Sequence, residues 1–275
     1  MSNVKHDVND MTFWEHLDAM RPGIFRTCIA LVVVVVAAFT LKDYLMEIVM
    51  GPSSPQFPTN KLMAYLADIW QQDVLRINQT PVKLINTRMA GQFMMHFSLA
   101  FYVALTLAIP YAIFELWLFI RPALTRNERR STLRFVLYAI ICMAIGVAFG
   151  YLILSPISVD FLSNYVLSDR IDNYIDTSSY ISLVTTLTLV CAVMFELPVI
   201  VYFLVKAHIL TAAFMRRYRR HALVILTISS ALFTPPDVFS MVLVMIPLYV
   251  LYEAGIWVAV FAEKGSEIKN IEKTE

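Results

Sequence analysis

Residues 181–205 run through 25 positions of apolar sequence interrupted by a single charged side chain, Glu196, near the centre. A helix of that length crosses the ~30 Å hydrocarbon core of a bilayer, where every backbone N–H and C=O must be satisfied inside the protein. Five further runs, 22–41, 91–120, 135–155, 222–234 and 238–262, repeat the pattern with at most an isolated charge. The expected fold is therefore all-α: a polytopic membrane helical bundle of six transmembrane helices. An outer-membrane barrel is excluded, because its strands would alternate polar and apolar residues over segments of about ten. Composition agrees, since 59% hydrophobic and 16% charged residues with a mean hydropathy of +0.65 do not describe a soluble domain of 275 residues.

Charge distribution sets the orientation. With a cytoplasmic N-terminus, sixteen of the 22 lysines and arginines fall on the cytoplasmic side and only Lys42, Lys61, Arg76, Lys83, Arg88 and Arg170 fall opposite. The positive-inside rule then places both termini in the cytoplasm, including the tail 263–275. The basic run Arg216-Arg217-Tyr218-Arg219-Arg220 reads as a topology anchor directly before a span, so no nucleic-acid partner is expected. The segment 1–21 carries Asp7, Asp10, Glu15 and Asp18 and no apolar core, so no cleavable signal is expected. Thr12 and Glu15 form a capping box, and Phe13, Leu17 and Met20 recur at helical spacing. A short amphipathic helix on the cytoplasmic surface follows, with Pro22-Gly23 expected to break it from the first span.

The extracytoplasmic loop 42–90 opens with a turn-rich stretch over 51–58 and continues with helix-like spacing from Lys61 to Leu75, which reads as a surface cap. Gly146 and Gly150 form a small-xxx-small pair that admits a close helix neighbour. The fifth run is short, thirteen residues before Thr234-Pro235-Pro236-Asp237. It reads either as its own span or as one arm of a buried hairpin with the sixth, and the charge count favours a true turn.

No HExxH, Walker loop, GxSxG or paired intramembrane aspartate occurs, and the three cysteines, Cys28, Cys142 and Cys191, have no CxxC spacing. Neither enzyme activity, nor a cofactor, nor a metal is expected. What stands out instead is a set of polar groups at bilayer depth, each costing roughly 2.5 kcal/mol or more unless neutralised, paired or wetted. Arg26 and Glu115 lie close enough to span ends to snorkel, and His96 reads as a structural histidine. Glu253 has two open readings, a helix-to-helix hydrogen bond or a functional group. Glu196 is far from any chain end, and Pro198 two residues later weakens the local helix and frees backbone carbonyls. A concavity facing Glu196, filled by water or a partner, is expected.

Several segments also resemble one family. The run Phe114-Glu115-Leu116-Trp117-Leu118-Phe119-Ile120-Arg121-Pro122-Ala123-Leu124, followed by Asn127-Glu128-Arg129-Arg130, resembles the second span and first cytoplasmic loop of TatC, the multispanning subunit of the twin-arginine protein translocase. Phe195-Glu196-Leu197-Pro198-Val199 is similar to that family's fourth span, Thr234-Pro235-Pro236-Asp237-Val238-Phe239-Ser240 to its turn between the last two spans, and residues 13–21 to its N-terminal helix. The resemblance implies a multi-pass protein of the bacterial cytoplasmic (inner) membrane that binds twin-arginine signal peptides of folded cargo and works with TatA/TatB-type single-span subunits, other copies of itself and the proton-motive force. It implies signal-peptide contacts at Glu128, Arg129, Phe119, Leu17, Asp18 and Arg21. It further implies intramembrane partner docking around Glu196, Pro198, Glu115 and Glu253 and an extracytoplasmic turn at Asp237, while the turn-rich stretch itself puts Pro52 in the extracytoplasmic loop.

Two departures accompany the likeness. The family pattern H-L-x-E-L-R reads His16-Leu17-Asp18-Ala19-Met20-Arg21, so its glutamate is Ala19 here, with Asp18 and Glu15 as the available substitutes. The loop around Glu128 also carries Arg121, Arg126, Arg129, Arg130 and Arg134, a field that anionic lipid headgroups would absorb within a screening length of about 8 Å. An exposed arginine–carboxylate pair contributes only about 0–1 kcal/mol, so the apolar segment of a signal peptide must supply most of the affinity and the arginines its selectivity. The competing reading is a proton-coupled small-molecule secondary transporter relaying protons through Glu115, Glu196 and Glu253. A purely structural scaffold would tolerate the loss of all three.

Overall fold

The computed structural model describes residues 13–73, 76–80, 82–120, 132–168, 173–206, 209–233 and 238–271. The first helix, α1 (Phe13–Thr40), is followed after one turn residue by α2 (Lys42–Met50), a 3-10 turn (Gly51–Ser53), α3 (Pro58–Trp70) and the two-residue strand β1 (Leu84–Ile85). Then come α4 (Gly91–Ile120) and α5 (Thr132–Phe149), which a π-helical turn (Gly150–Leu154) joins to α6 (Ser155–Asn164). After β2 (Ile175–Asp176), the chain forms α7 (Thr177–Met194), α8 (Leu197–Lys206), α9 (Ala212–Arg217), α10 (Arg219–Phe233) and α11 (Val238–Ile271).

Among the described residues, five helical stretches are long and apolar enough to cross a membrane: Met20–Thr40, Gly91–Leu116, Leu137–Asn164, Thr177–Lys206 and Met241–Lys264. The sixth expected span, α10, has 15 residues, about 22 Å of rise, and packs against α11. It falls short of the ~30 Å a full crossing needs, and it is a helix separate from α11.

Pro22-Gly23 does not break the chain: α1 is one helix from Phe13 to Thr40 with Pro22 inside it. Membrane helices tolerate a proline whose freed groups find other partners, and Gly23 serves contact rather than bending. A Cβ there would lie 3.1 Å from Glu115 Oε2, so the glycine lets α1 and α4 approach closely. The third span also outruns its expected end at 155, continuing through the π turn to Asn164. At the C-terminus α11 carries helix on to Ile271, into the segment read as tail.

The centre of the bundle is α7. It carries no charged residue and is packed against other helices, with Tyr180, Ile181, Val184, Leu187, Val190 and Cys191 buried together with Leu99 of α4, Leu154 of the π turn, and Val244 and Leu248 of α11. The Gly146/Gly150 pair lies where α5 meets α7, as its spacing suggested. Cβ atoms at these positions would stand 2.6 Å from the Cys191 carbonyl oxygen and 2.9 Å from Thr188 Cα.

The 42–90 segment is more ordered than a surface cap. Asn60, 1% exposed, donates from Nδ2 to the carbonyls of Pro52 at 3.0 Å and Ser54 at 2.8 Å. Asn78 donates from Nδ2 to Pro156 O at 2.9 Å and from its backbone N–H to Asp160 Oδ1 at 2.6 Å. Thr59 donates to the Leu152 carbonyl in the π turn, where the i→i−4 ladder is interrupted. Pairing of β1 with β2, Leu84 opposite Ile175, joins this segment to the one after α6. Asn78 holds φ at 50°, a region that costs other L-residues about 1–2 kcal/mol. Asn78→Ala, which removes the side-chain bond to Pro156 O and puts a residue with no αL preference on the same backbone, should lower stability by about 1–3 kcal/mol and speed proteolysis within 42–90; cleavage rates equal to wild type would contradict the lock.

Candidate functional site

Glu196 sits in a two-residue break between α7 and α8. The break is local chemistry: Pro198 has no N–H to return to Met194 O, and the Glu196 N–H bonds to Val193 O at 3.1 Å in a tightened turn. Helix resumes where Ile200 N–H reaches Glu196 O at 3.0 Å. The side chain is 1% exposed, and neither carboxyl oxygen has a hydrogen-bond partner among the described residues. The open concavity expected from the sequence is therefore absent around Glu196. Gly146 explains the closure, because α5 comes near enough that a Cβ there would lie 2.9 Å from Phe195 Cβ. Beyond the turn, Val199 and Phe203 pack with Ala139 and Cys142 of α5.

The other intramembrane carboxylates are paired. Glu115 is 8% exposed and does not snorkel: its Oε2 accepts from Arg26 Nη2 at 3.1 Å and its Oε1 from the Tyr111 hydroxyl at 2.8 Å. Arg26 correspondingly turns to Glu115 rather than simply reaching for an interface. Beside this pair a cavity of about 340 Å³ opens between α1 and α4, lined by Met20, Gly23, Ile24, Arg26, Cys28 and Leu118 among others. Glu253 accepts from Arg219 Nη2 at 2.7 Å and from Tyr249 Oη at 3.3 Å, so it makes the helix-to-helix bond of its first reading, between α10 and α11. His96 contacts Phe39 O through Nε2 at 2.9 Å and stacks on the Phe39 ring.

The remaining site expectations divide by location. Arg21 is exposed on α1, and Pro198, half-buried, lies in the first turn of α8. Pro52 is buried, and its carbonyl anchors Asn60. Leu17 and Asp18 lie on α1 and Phe119 on α4, but their side chains fall outside the described residues, as do Glu128, Arg129 and Asp237 altogether. Sequence reasoning passed over Tyr111 and Tyr249 as partners. Each precedes a glutamate by four residues, a spacing that places both on one helix face and was there to be read. Among the described residues no group of three or more His, Cys, Asp or Glu is placed to hold a metal ion.

Residues 15–247 match the family model for Sec-independent protein translocase protein (TatC). The chain belongs to the TatC family. The Sec-independent protein translocase protein TatC of Deinococcus radiodurans is 35% identical over 246 residues, 88% of this chain and 83% of that protein. That of Blattabacterium sp. subsp. Periplaneta americana is 30% identical over 264 residues, 95% and 99% of the two chains. A crystal structure of a twin arginine translocase receptor, TatC, superposes with a TM-score of 0.73 at 26% identity over 90% of this chain and 100% of the other. Multi-pass helical architecture and family membership together make this a membrane-embedded subunit of a protein translocase, a transport component.

Proposed function

We propose that this chain is the receptor of a twin-arginine translocase. It binds signal peptides with consecutive arginines at its cytoplasmic face, assembles TatA/TatB-type single-span subunits, and moves folded proteins using the proton-motive force. Both termini are cytoplasmic in this reading, with α10 as the short fifth of six spans and the 42–90 segment outside. The observation that carries it is Glu196, a carboxyl held inside the bundle with neither oxygen hydrogen-bonded among the described residues. A buried polar group left unpaired costs about 1–3 kcal/mol, which folding alone gives no reason to keep. A polar group on a partner helix, admitted when the packing around the 195–196 turn opens, would satisfy it. Hydrogen bonds between membrane helices contribute only about 0.6–2 kcal/mol, so such docking is reversible and suits assembly on demand.

A relay through three glutamates receives no comparable support, because Glu115 and Glu253 are each engaged by their own arginine and tyrosine. Glu128 contributes to the selectivity for arginine. The test is binding of a labelled signal peptide to the full chain in nanodiscs, as an Arg-Arg version and a Lys-Lys version. The Arg-Arg form should bind tighter, and Glu128→Gln should reduce that preference by up to about five-fold, the worth of one exposed ion pair, while lowering export. Normal binding and export by Glu128→Gln would remove it from the site, and equal binding of both peptides would end the receptor reading.

A further inference from the structure

We infer that the cavity between α1 and α4 is a second arginine site, in which Glu115 is held by Arg26 as a stand-in until the guanidinium of an incoming peptide takes that place. The inference rests on the receptor reading above and adds a site within it. Three observations carry it. The carboxylate is 8% exposed and already arranged for a guanidinium, with Tyr111 occupying Oε1 at 2.8 Å and Arg26 Nη2 occupying Oε2 at 3.1 Å. Its partner is asymmetric: the Arg26 side chain is 55% exposed, so the pair is sheltered on the Glu115 side and open on the other. The cavity of about 340 Å³ is lined by both Arg26 and Glu115, with Ile24, Leu116 and Leu118 giving it apolar walls beside the charge.

The exchange is chemically balanced. Glu115 lies five residues before the end of α4, about 7.5 Å of helical rise, within reach of a long cationic side chain entering from that end. Removing Arg26 with no replacement would strand a buried carboxylate, whereas exchanging one guanidinium for another leaves its charge compensated throughout. Displaced Arg26 swings outward, where it is already largely exposed and can meet lipid phosphates. Arginine is favoured over lysine because a planar fork of donors can engage Oε2 beside the tyrosine bond, whereas an ammonium offers a compact, strongly hydrated point charge. Gly23 is needed for the same geometry: a Cβ there would press on Glu115 Oε2 at 3.1 Å.

Cys28, exposed and in the cavity wall, is a native reporter. In the full chain in nanodiscs, an Arg-Arg peptide with an apolar segment of about 10 residues should slow N-ethylmaleimide alkylation of Cys28, read by peptide mass, and a Lys-Lys peptide should slow it less. Glu115→Gln should abolish that protection and weaken binding about ten-fold, the loss of one hydrogen bond to a charged group. Arg26→Gln, which vacates the carboxylate, should tighten binding by a similar factor and keep the protection. If the Arg-Arg peptide binds while Cys28 reacts as fast with it as without it, the proposal is overturned and the receptor reading stands. That wild-type comparison decides even where a variant fails to fold. If neither peptide binds the wild-type chain, the receptor reading itself falls.

Discussion

Replacing Glu196 with alanine is expected to cut export to less than about a tenth of wild type while signal-peptide binding stays within a factor of two of wild type. The two effects separate because the side chain makes no hydrogen bond within the described part of the molecule. Its loss therefore breaks no internal network that positions the binding face. Stability should move in the opposite direction from function. Replacing a buried polar group by an apolar one of similar volume is often neutral or stabilising, so Glu196→Leu should melt at or above the wild-type temperature while failing to export. Export by Glu196→Ala at the wild-type level would take this residue out of the mechanism. A large fall in melting temperature for Glu196→Leu would show instead that the carboxyl is a structural group.

Gly146→Leu should be the most damaging substitution for the fold. The first atom beyond Cα would already lie 2.6 Å from the Cys191 carbonyl oxygen, 2.9 Å from Phe195 Cβ and 3.0 Å from Ala192 Cα. Two of these neighbours are backbone atoms of the central helix, which cannot give by a rotamer change, so α5 must move away from α7. Replacing glycine in a helix gains about 1 kcal/mol of propensity, but overpacking a close contact costs about 1–3 kcal/mol or more and here dominates. The expected result is a melting temperature lower by several degrees and poor recovery of folded protein. Gly255→Ala is the control, since a Cβ there meets only Met215 Cε and Val201 Cγ2 at an ordinary 3.6 Å. It should be neutral or slightly stabilising, and equal effects at the two glycines would refute the packing argument. Because Gly146 also closes α5 over the 195–196 turn, milder changes there should alter how readily Glu196 is reached.

Much of the architecture was legible because spans announce themselves by local composition. Expected runs at 91–120 and 181–205 correspond to α4 and to the α7–α8 pair, and the helical spacing from Lys61 corresponds to α3 (Pro58–Trp70). The sequence also located the weak point in the fourth span, since a proline two residues after Glu196 must disturb the ladder. Two errors share one cause. Pro22-Gly23 reads as a break and residue 155 as an end only when a helix is considered alone. In the structure α1 stays continuous because α4 packs along it, and the third span continues because Thr59, 93 residues earlier in sequence than its acceptor Leu152, takes up a carbonyl at the π turn.

The polar groups divide the same way. Tyr111 with Glu115 and Tyr249 with Glu253 are pairs within one helix turn, so spacing alone contains them. The arginines that complete each site come from elsewhere, Arg26 from 89 residues away and Arg219 from 34, and no local pattern specifies which carboxylate either will meet. By itself the sequence determined that this chain enters a membrane as helices, roughly where each begins and ends, and which few ionisable groups those helices carry to depth, since all three follow from the transfer energy of successive residues. Tertiary structure alone decided that Glu115 and Glu253 would be paired while Glu196 was left without a partner among the described residues. Pairing depends on which helix faces lie side by side, and close glycine contacts far apart in sequence set that arrangement.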